Sequence, residues 1–256
     1  MIACTTGASQ PVATSEQPLA YHPNVVEHDS TIDSLVAPAL AGPPSPRAEE
    51  LLSPELTASP AAAKLVELII DVRDNLVATS YKHKTRVQQR KGYYAWDCSG
   101  MAEWMLERSA PRALRSLGKK RPRAIHFYRA ISRAPKTKSP RGWQQLAHVS
   151  DARAGDLFAF PRSPLSTSRV TGHVGFFIEK PWPVPGVERA WAARIVDSTK
   201  TPHQDDTRSA DGDGGFGFGT MMFVNDESGK TIAYGWYGTD SRGYMPTHVA
   251  YARVTR

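Results

Sequence analysis

The sequence predicts an α+β fold, in which N-terminal helices pack on an antiparallel sheet of about five to six strands. Two observations predict it. Apolar residues first recur at the three- and four-residue steps of amphipathic helices. From Asp156 onward, short apolar runs rich in β-branched and aromatic residues are separated by Gly, Pro and Asp clusters, which is typical of strands joined by turns.

Two helices are predicted ahead of the sheet. The first lies in AAAKLVELIIDVRDNLVATS, just after Pro60, which stands where a helix start tolerates proline. The second begins at Cys98 in DCSGMAEWMLER, and a polar connection joins the two. The apolar positions are Leu65, Leu68, Ile69, Val72 and Leu76 in the first helix, and Met101, Trp104 and Met105 in the second.

Six segments read as strands, and no internal repeat is visible. In chain order they are DLFAF, GHVGFFIE, ARIVDST, GTMMFVN, TIAYGWY and HVAYARV.

The composition divides the chain at residue 61. Residues 1–61 hold nine prolines, seven acidic residues and one basic residue, and they are predicted to be a disordered Pro/Ala/Ser-rich tail or linker. Residues 62–256 are predicted to form one folded domain that carries a formal charge of about +13. A basic domain favours polyanionic surroundings, but charge alone does not select one.

A basic insertion is predicted at 108–142. It contains twelve Lys or Arg and no acidic residue, together with a short helix near Ala124–Ile131. The segment contains no recognisable nucleic-acid-binding module, so we expect a solvated basic face or a patch for anionic wall polymers, and no nucleic-acid partner.

The chain has two cysteines, Cys4 in the tail and Cys98 before a helix. A disulfide between them is not expected, because one partner would be unstructured. No apolar run reaches about 18 residues, so no transmembrane segment is predicted. The start, Met1-Ile2-Ala3-Cys4, resembles the end of a bacterial lipoprotein signal, which leaves open a lipid anchor at Cys4 if the start is truncated.

Cys98 and His173 are the candidate catalytic pair. The nucleophile is a thiolate, and the unpaired N–H groups and the dipole of a helix N-terminus favour negative charge. His173 opens an apolar strand between Gly172 and Gly175, where small neighbours allow close approach of a substrate. Asp197, on the next predicted strand, is the candidate that orients the imidazole.

The order of DCSG on a helix, AGD before a strand and then GHVGFFIE resembles the NlpC-type papain-like cysteine peptidases of bacterial cell walls, over about residues 62–198. The resemblance implies a papain-like fold and hydrolysis of an amide in peptidoglycan stem peptides through an acyl-enzyme, with no cofactor. It also implies a cell-envelope or secreted location.

The resemblance extends to the residues around the pair. Asp197 stands where the family usually has another polar residue, often histidine, so His203 is the alternative third residue. Tyr81 matches an upstream tyrosine at the oxyanion site, with Tyr93 and Tyr94 as competitors. Asp97, Ser99 and Gly172 are assigned with Tyr81 to the oxyanion and substrate side of the site.

Other motifs are set aside. HQDDTRSADGDGGFGFG offers possible metal ligands but lacks the register of an EF-hand, so no metal is expected and the segment is interpreted as a polar loop at the rim of the cleft. No nucleotide-binding glycine motif is present. Two other functions stay open: a papain-like thiol amidase or acyltransferase on another substrate, and a non-catalytic basic binding protein.

Overall fold

The structure is a computed structural model that describes residues 49–137, 141–167, 169–209, 211–235 and 244–255. It has an α+β fold with helices and a large antiparallel sheet, which confirms the predicted fold class. Within these ranges, no helix has both the length and the apolar character needed to span a bilayer.

Three helices begin close to where the sequence predicts, but the first ends at Asp74 instead of reaching Ser80, and a further short helix was not predicted. The helices are α1 (Pro60–Asp74), α2 (Cys98–Ser109), α3 (Pro111–Arg115) and α4 (Ala124–Ser132). The Ser59 hydroxyl caps α1 by accepting a hydrogen bond from the Ala62 N–H at 3.0 Å. The predicted apolar face of α1 is buried, with Leu65 and Ile69 inaccessible to solvent, and α1 packs against α2.

A small sheet forms after α1, where the sequence predicted the last residues of the first helix and then a polar connection. Its strands are β1 (Ala78–Tyr81), β2 (Arg86–Gln88) and β3 (Tyr93–Trp96), and β3 lies between a parallel β1 and an antiparallel β2. The prediction of a connection was wrong because strands of three or four residues carry too little alternation to be recognised.

The large sheet has nine strands in the described residues, more than the five to six predicted. Their bounds are β4 (Trp143–Leu146), β5 (Leu157–Pro161), β6 (Gly172–Phe177), β7 (Trp182–Pro183), β8 (Ala190–Thr199), β9 (Gly215–Asn225), β10 (Thr231–Gly235), β11 (Tyr244–Pro246) and β12 (Ala250–Val254). The order is β11-β10-β9-β8-β6-β5-β12-β4, and β7 pairs with β8. The six predicted segments correspond to β5, β6, β8, β9, β10 and β12.

Both faces of the sheet are buried. On β5, Leu157 and Ala159 belong to the apolar cluster that includes the helices, whereas Phe158 and Phe160 belong to a second cluster. Successive residues of a strand point to opposite faces, which explains why the predicted strands read as continuous apolar runs.

The boundary of the tail at residue 61 was wrong. Glu49 is buried and forms a bidentate ion pair with Arg194 on β8, at 2.8 and 3.0 Å. Leu52 is also buried, and the Ser59 hydroxyl donates to the Val254 carbonyl of β12. Residues 49–61 therefore belong to the fold, while the prediction for residues 1–48 lies outside the described residues.

The basic insertion packs into the domain. Phe127 and Ile131 of α4 are inaccessible to solvent, which confirms the predicted short helix. The Trp143 indole N–H lies 2.9 Å from the Ala113 carbonyl and 3.0 Å from the Ser116 hydroxyl, so β4 is tied to α3.

Candidate active site

Cys98 is the first residue of α2 and is a free thiol, 5% exposed. Asp97 caps the helix: its Oδ1 accepts hydrogen bonds from the Gly100 N–H at 2.8 Å and from the Ser99 hydroxyl at 2.9 Å. The cap sets the start of the helix at Cys98, so the sulfur lies where the helix dipole favours a negative charge.

His173 lies between Cys98 and Asp197. Its Nε2 is 2.6 Å from Asp197 Oδ2, which leaves Nδ1 as the nitrogen available for the hydrogen bond with Cys98. Burial disfavours protonation of the ring, but the negative charges of Cys98 and Asp197 outweigh it and raise the pKa of His173 to about 10. Both neighbours therefore favour the imidazolium form of His173.

The fold brings these groups together at three elements. Strands β6 and β8 are antiparallel neighbours, as predicted, and α2 packs against both. A Cβ on Gly175 would lie 3.1 Å from the Asp197 Cβ, so the glycine leaves room for the carboxylate beside His173. The Ser198 hydroxyl donates to the Trp96 carbonyl at 2.9 Å, which ties β8 to the start of α2.

Asp197 is a shared acceptor for three side chains. Oδ2 lies 2.6 Å from His173 Nε2 and 2.7 Å from His203 Nε2, while Oδ1 accepts from Arg208 at 2.8 Å. The carboxylate is inaccessible to solvent, which disfavours its charge, yet these partners hold its pKa well below the usual range. The two candidates for the third residue thus occupy one network, and Asp197 is the one that contacts His173.

His203 stays neutral in this network. Burial, assisted by the nearby Arg208 cation, lowers its pKa, although Asp197 acts in the opposite direction. The pKa values of the two imidazoles on the same oxygen are therefore shifted in opposite directions: Cys98 and Asp197 raise that of His173, whereas burial and Arg208 lower that of His203.

His203, Asp206 and Arg208 lie in the loop that precedes β9. Arg208 is 4% exposed and binds Asp206 through two nitrogens at 2.7 and 2.8 Å, as well as the Gly215 carbonyl at 2.8 Å. Part of the segment interpreted as a polar rim loop is therefore buried, and the glycine-rich GFGFG belongs to β9. The interpretation missed this buried part, because an arginine paired with two carboxylates can be buried in a sequence that reads as polar.

His173, Asp197 and His203 are also residue types that bind zinc, and their ligand atoms all lie within 4.8 Å of one another. A cation at this position would compete with the two hydrogen bonds to Asp197 and would be repelled by the Arg208 guanidinium, which lies 2.8 Å from Oδ1. The arrangement fits a hydrogen-bonded network better than a metal centre.

Tyr81, at the end of β1, lies close to Cys98 and Asp197. Burial and the negative charges of Cys98, Asp97 and Asp197 raise the pKa of its phenol, so the hydroxyl keeps its proton and can donate. The Tyr81 N–H donates to the Asp213 carbonyl at 2.9 Å, which fixes this end of the strand.

The competing tyrosines have other positions. Tyr94 is fully buried and packs against Trp96 and Trp104, with ring centroids 5.1 and 6.2 Å away. It is therefore a core residue, whereas Tyr93 on the same strand is half-buried.

The remaining candidates, Asp97, Ser99 and Gly172, hold the backbone on either side of the site in place. Asp97 and Ser99 use their side chains for the helix cap described above. Gly172 has φ +137°, and a Cβ there would lie 2.0 Å from the Phe160 carbonyl oxygen. It permits the close pairing of β5 and β6 immediately before His173.

Sequence reasoning missed Arg208 and His83. Arg208 carried only a weak signal, as a single basic residue among the aspartates of QDDTRSAD. The exposed His83 Nδ1 lies 3.1 Å from Asp97 Oδ2, at the outer side of the helix cap, and no motif marked it.

Comparisons of the chain with family models, with curated proteins and with solved structures found no match.

Proposed function

We propose that this protein is a papain-like cysteine hydrolase of the NlpC type, with Cys98 as nucleophile, His173 as general base and acid, and Asp197 as the residue that orients His173. One observation carries the proposal: a thiol at a helix N-terminus, an imidazole and a buried carboxylate form a continuous hydrogen-bonded chain. Nucleophilic thiol catalysis requires this arrangement.

The reaction starts from the ion pair of a Cys98 thiolate and a His173 imidazolium, which the raised pKa of His173 favours. The sulfur attacks the carbonyl carbon of an amide, and the electron pair of the C=O bond moves to oxygen. The intermediate collapses, the C–N bond breaks, and the imidazolium gives its proton to the leaving amine.

The resulting thioester is then hydrolysed. Neutral His173 takes a proton from water, the hydroxide attacks the acyl carbon, and the C–S bond breaks to regenerate the thiolate and release a carboxylic acid. Asp197 holds His173 in one orientation through both steps, since its Oδ2 stays on Nε2. An amine acceptor in place of water would give acyl transfer from the same intermediate.

The oxyanion of each tetrahedral intermediate needs hydrogen-bond donors. The backbone N–H of Cys98, at the helix start, and the protonated Tyr81 hydroxyl are the proposed donors. Loss of one such donor costs about 100-fold in rate or more in comparable sites.

The proposed substrate is an amide bond in a peptidoglycan stem peptide. Support comes from the motif order DCSG, GDLFAF and GHVGFFIE, and from the basic character of residues 62–256, which suits an anionic cell wall. A cell-envelope or secreted location follows from this substrate.

The test is digestion of purified stem peptides, with products identified by mass spectrometry, together with labelling by a thiol-directed probe. Cys98→Ala should abolish both cleavage and labelling at this site, while Cys4→Ala, the matched control, should leave cleavage unchanged. Retained cleavage in Cys98→Ala would overturn the mechanism. Probe labelling without cleavage of any stem peptide would leave the thiol chemistry standing and reject the substrate.

A further inference from the structure

A basic cavity of about 480 Å³ lies in the insertion, between the end of α3, the helix α4 and the start of β4. We call it the insertion cavity. Its polar lining includes Lys119, His126, Arg129, Arg133 and Arg141, and Trp143 and Ser116 also line it. It is built from residues that the proposed reaction does not use.

The lining carries a concentrated positive charge. Lys119, Arg129 and Arg133 are exposed and take part in none of the ion pairs found among the described residues. No acidic residue among those that the structure describes lines the cavity. Without counting Arg141, these three side chains give the lining a formal charge of +3.

His126 adds a neutral donor. Its Nδ1 accepts a hydrogen bond from the Arg123 N–H at 2.9 Å, so the ring proton resides on Nε2. Burial and the charges of Lys119, Arg123 and Arg129 lower the pKa of His126. The contribution of the three cations indicates a positive electrostatic potential at the cavity.

The aromatic residue of the lining does not offer a stacking face. Trp143 is 2% exposed, and its indole N–H is engaged with Ala113 and Ser116. Proteins that bind single-stranded nucleic acid combine a basic groove with accessible aromatic rings. The insertion cavity is therefore suited to bind an anionic group that carries no nucleobase.

We propose that the insertion cavity binds a small ligand through a diphosphate group. Its volume lies in the usual range of small-molecule sites, about 300 to 1,000 Å³. Guanidinium groups bind phosphate oxygens with paired, charge-assisted hydrogen bonds. A single carboxylate would leave most of the +3 charge of Lys119, Arg129 and Arg133 uncompensated, whereas a diphosphate brings several negative charges and many acceptors.

The probe is inorganic pyrophosphate, titrated into the full chain by calorimetry and by NMR of the His126 ring. We expect saturable binding, and an increase in the pKa of His126 as the anion offsets the surrounding cations. Arg129→Gln/Arg133→Gln should weaken binding by about tenfold or more.

The matched control is Arg112→Gln/Arg115→Gln, which removes the same charge from the same insertion at exposed positions outside the cavity lining. Equal losses in the two double variants, or no movement of the His126 resonances, would overturn the proposal. Tighter binding of a thymidine oligonucleotide than of pyrophosphate would replace it with a nucleic-acid surface. Cys98→Ala should bind pyrophosphate unchanged, so this test is independent of the hydrolase.

Discussion

Arg208→Gln is expected to destabilise the protein more than any single change at its surface. The side chain is 4% exposed and pairs with Asp197 at 2.8 Å and with Asp206 at 2.7 Å, both of which are almost completely buried. Glutamine cannot supply the charge or the two-sided donor geometry, so two buried carboxylates lose their counterion.

The magnitude follows from this geometry. Removal of one partner of a buried ion pair costs about 3 to 5 kcal/mol, because the other charge stays buried and unpaired. Exposed pairs contribute about 0 to 1 kcal/mol. Arg189, which is 43% exposed and lies 3.6 Å from Glu227, is the matched control, and Arg189→Gln should change the free energy of unfolding by less than about 1 kcal/mol.

The measurement is urea denaturation followed by tryptophan fluorescence, with the free energy of unfolding extrapolated to water. A loss below about 1 kcal/mol for Arg208→Gln would refute the view that the cation neutralises the buried carboxylates. As a further check, Asp197→Asn in the Arg208→Gln background should recover part of the stability, since it removes one orphaned charge.

Three other outcomes follow from the structure. Cys98→Ala should lower the pKa of His173 below about 10, because a raising charge is lost, as read from the NMR titration of the ring. Glu49→Ala should cost about 3 kcal/mol in urea denaturation, because the buried Arg194 would keep only the half-exposed Asp205, 3.6 Å away, as a counterion. Gly172→Ala should lower the melting temperature, because φ is +137° and the Cβ would lie 2.0 Å from a carbonyl oxygen.

Two of these outcomes have a matched comparison. Glu50→Ala changes an exposed neighbour and should be nearly neutral; an equal loss would contradict the role of the Glu49 ion pair. Gly118 has φ +61°, and a Cβ added there would meet no heavy atom within 4 Å, so Gly118→Ala reports backbone strain alone. If Gly172→Ala lowered the melting temperature no more than Gly118→Ala, the predicted clash at Gly172 would be contradicted. A pKa of His173 that does not move in Cys98→Ala would contradict its contact with the thiol.

The Cys98 and His173 pair was accessible to sequence reasoning because its signals are local. Asp97 next to an apolar stripe marks the start of a helix at Cys98, and glycines mark the strand that begins at His173. Asp197 could be proposed because consecutive antiparallel strands are usually neighbours. The short strands β1, β2 and β3 could not be recognised, since their pairing depends on partners rather than on their own pattern.

The sequence by itself determined the α+β class, the two main helices, six strands and the residues that meet in the Cys98, His173 and Asp197 chain. Only the tertiary structure decided that His203 and Arg208 converge on the same carboxylate, and that Glu49 lies within the fold beside Arg194. The physical reason is that these contacts join charges far apart in the sequence or on irregular loops. Such groups do not contribute to the hydrophobic periodicity from which helices and strands are predicted. Their pairing becomes necessary only because the fold buries them.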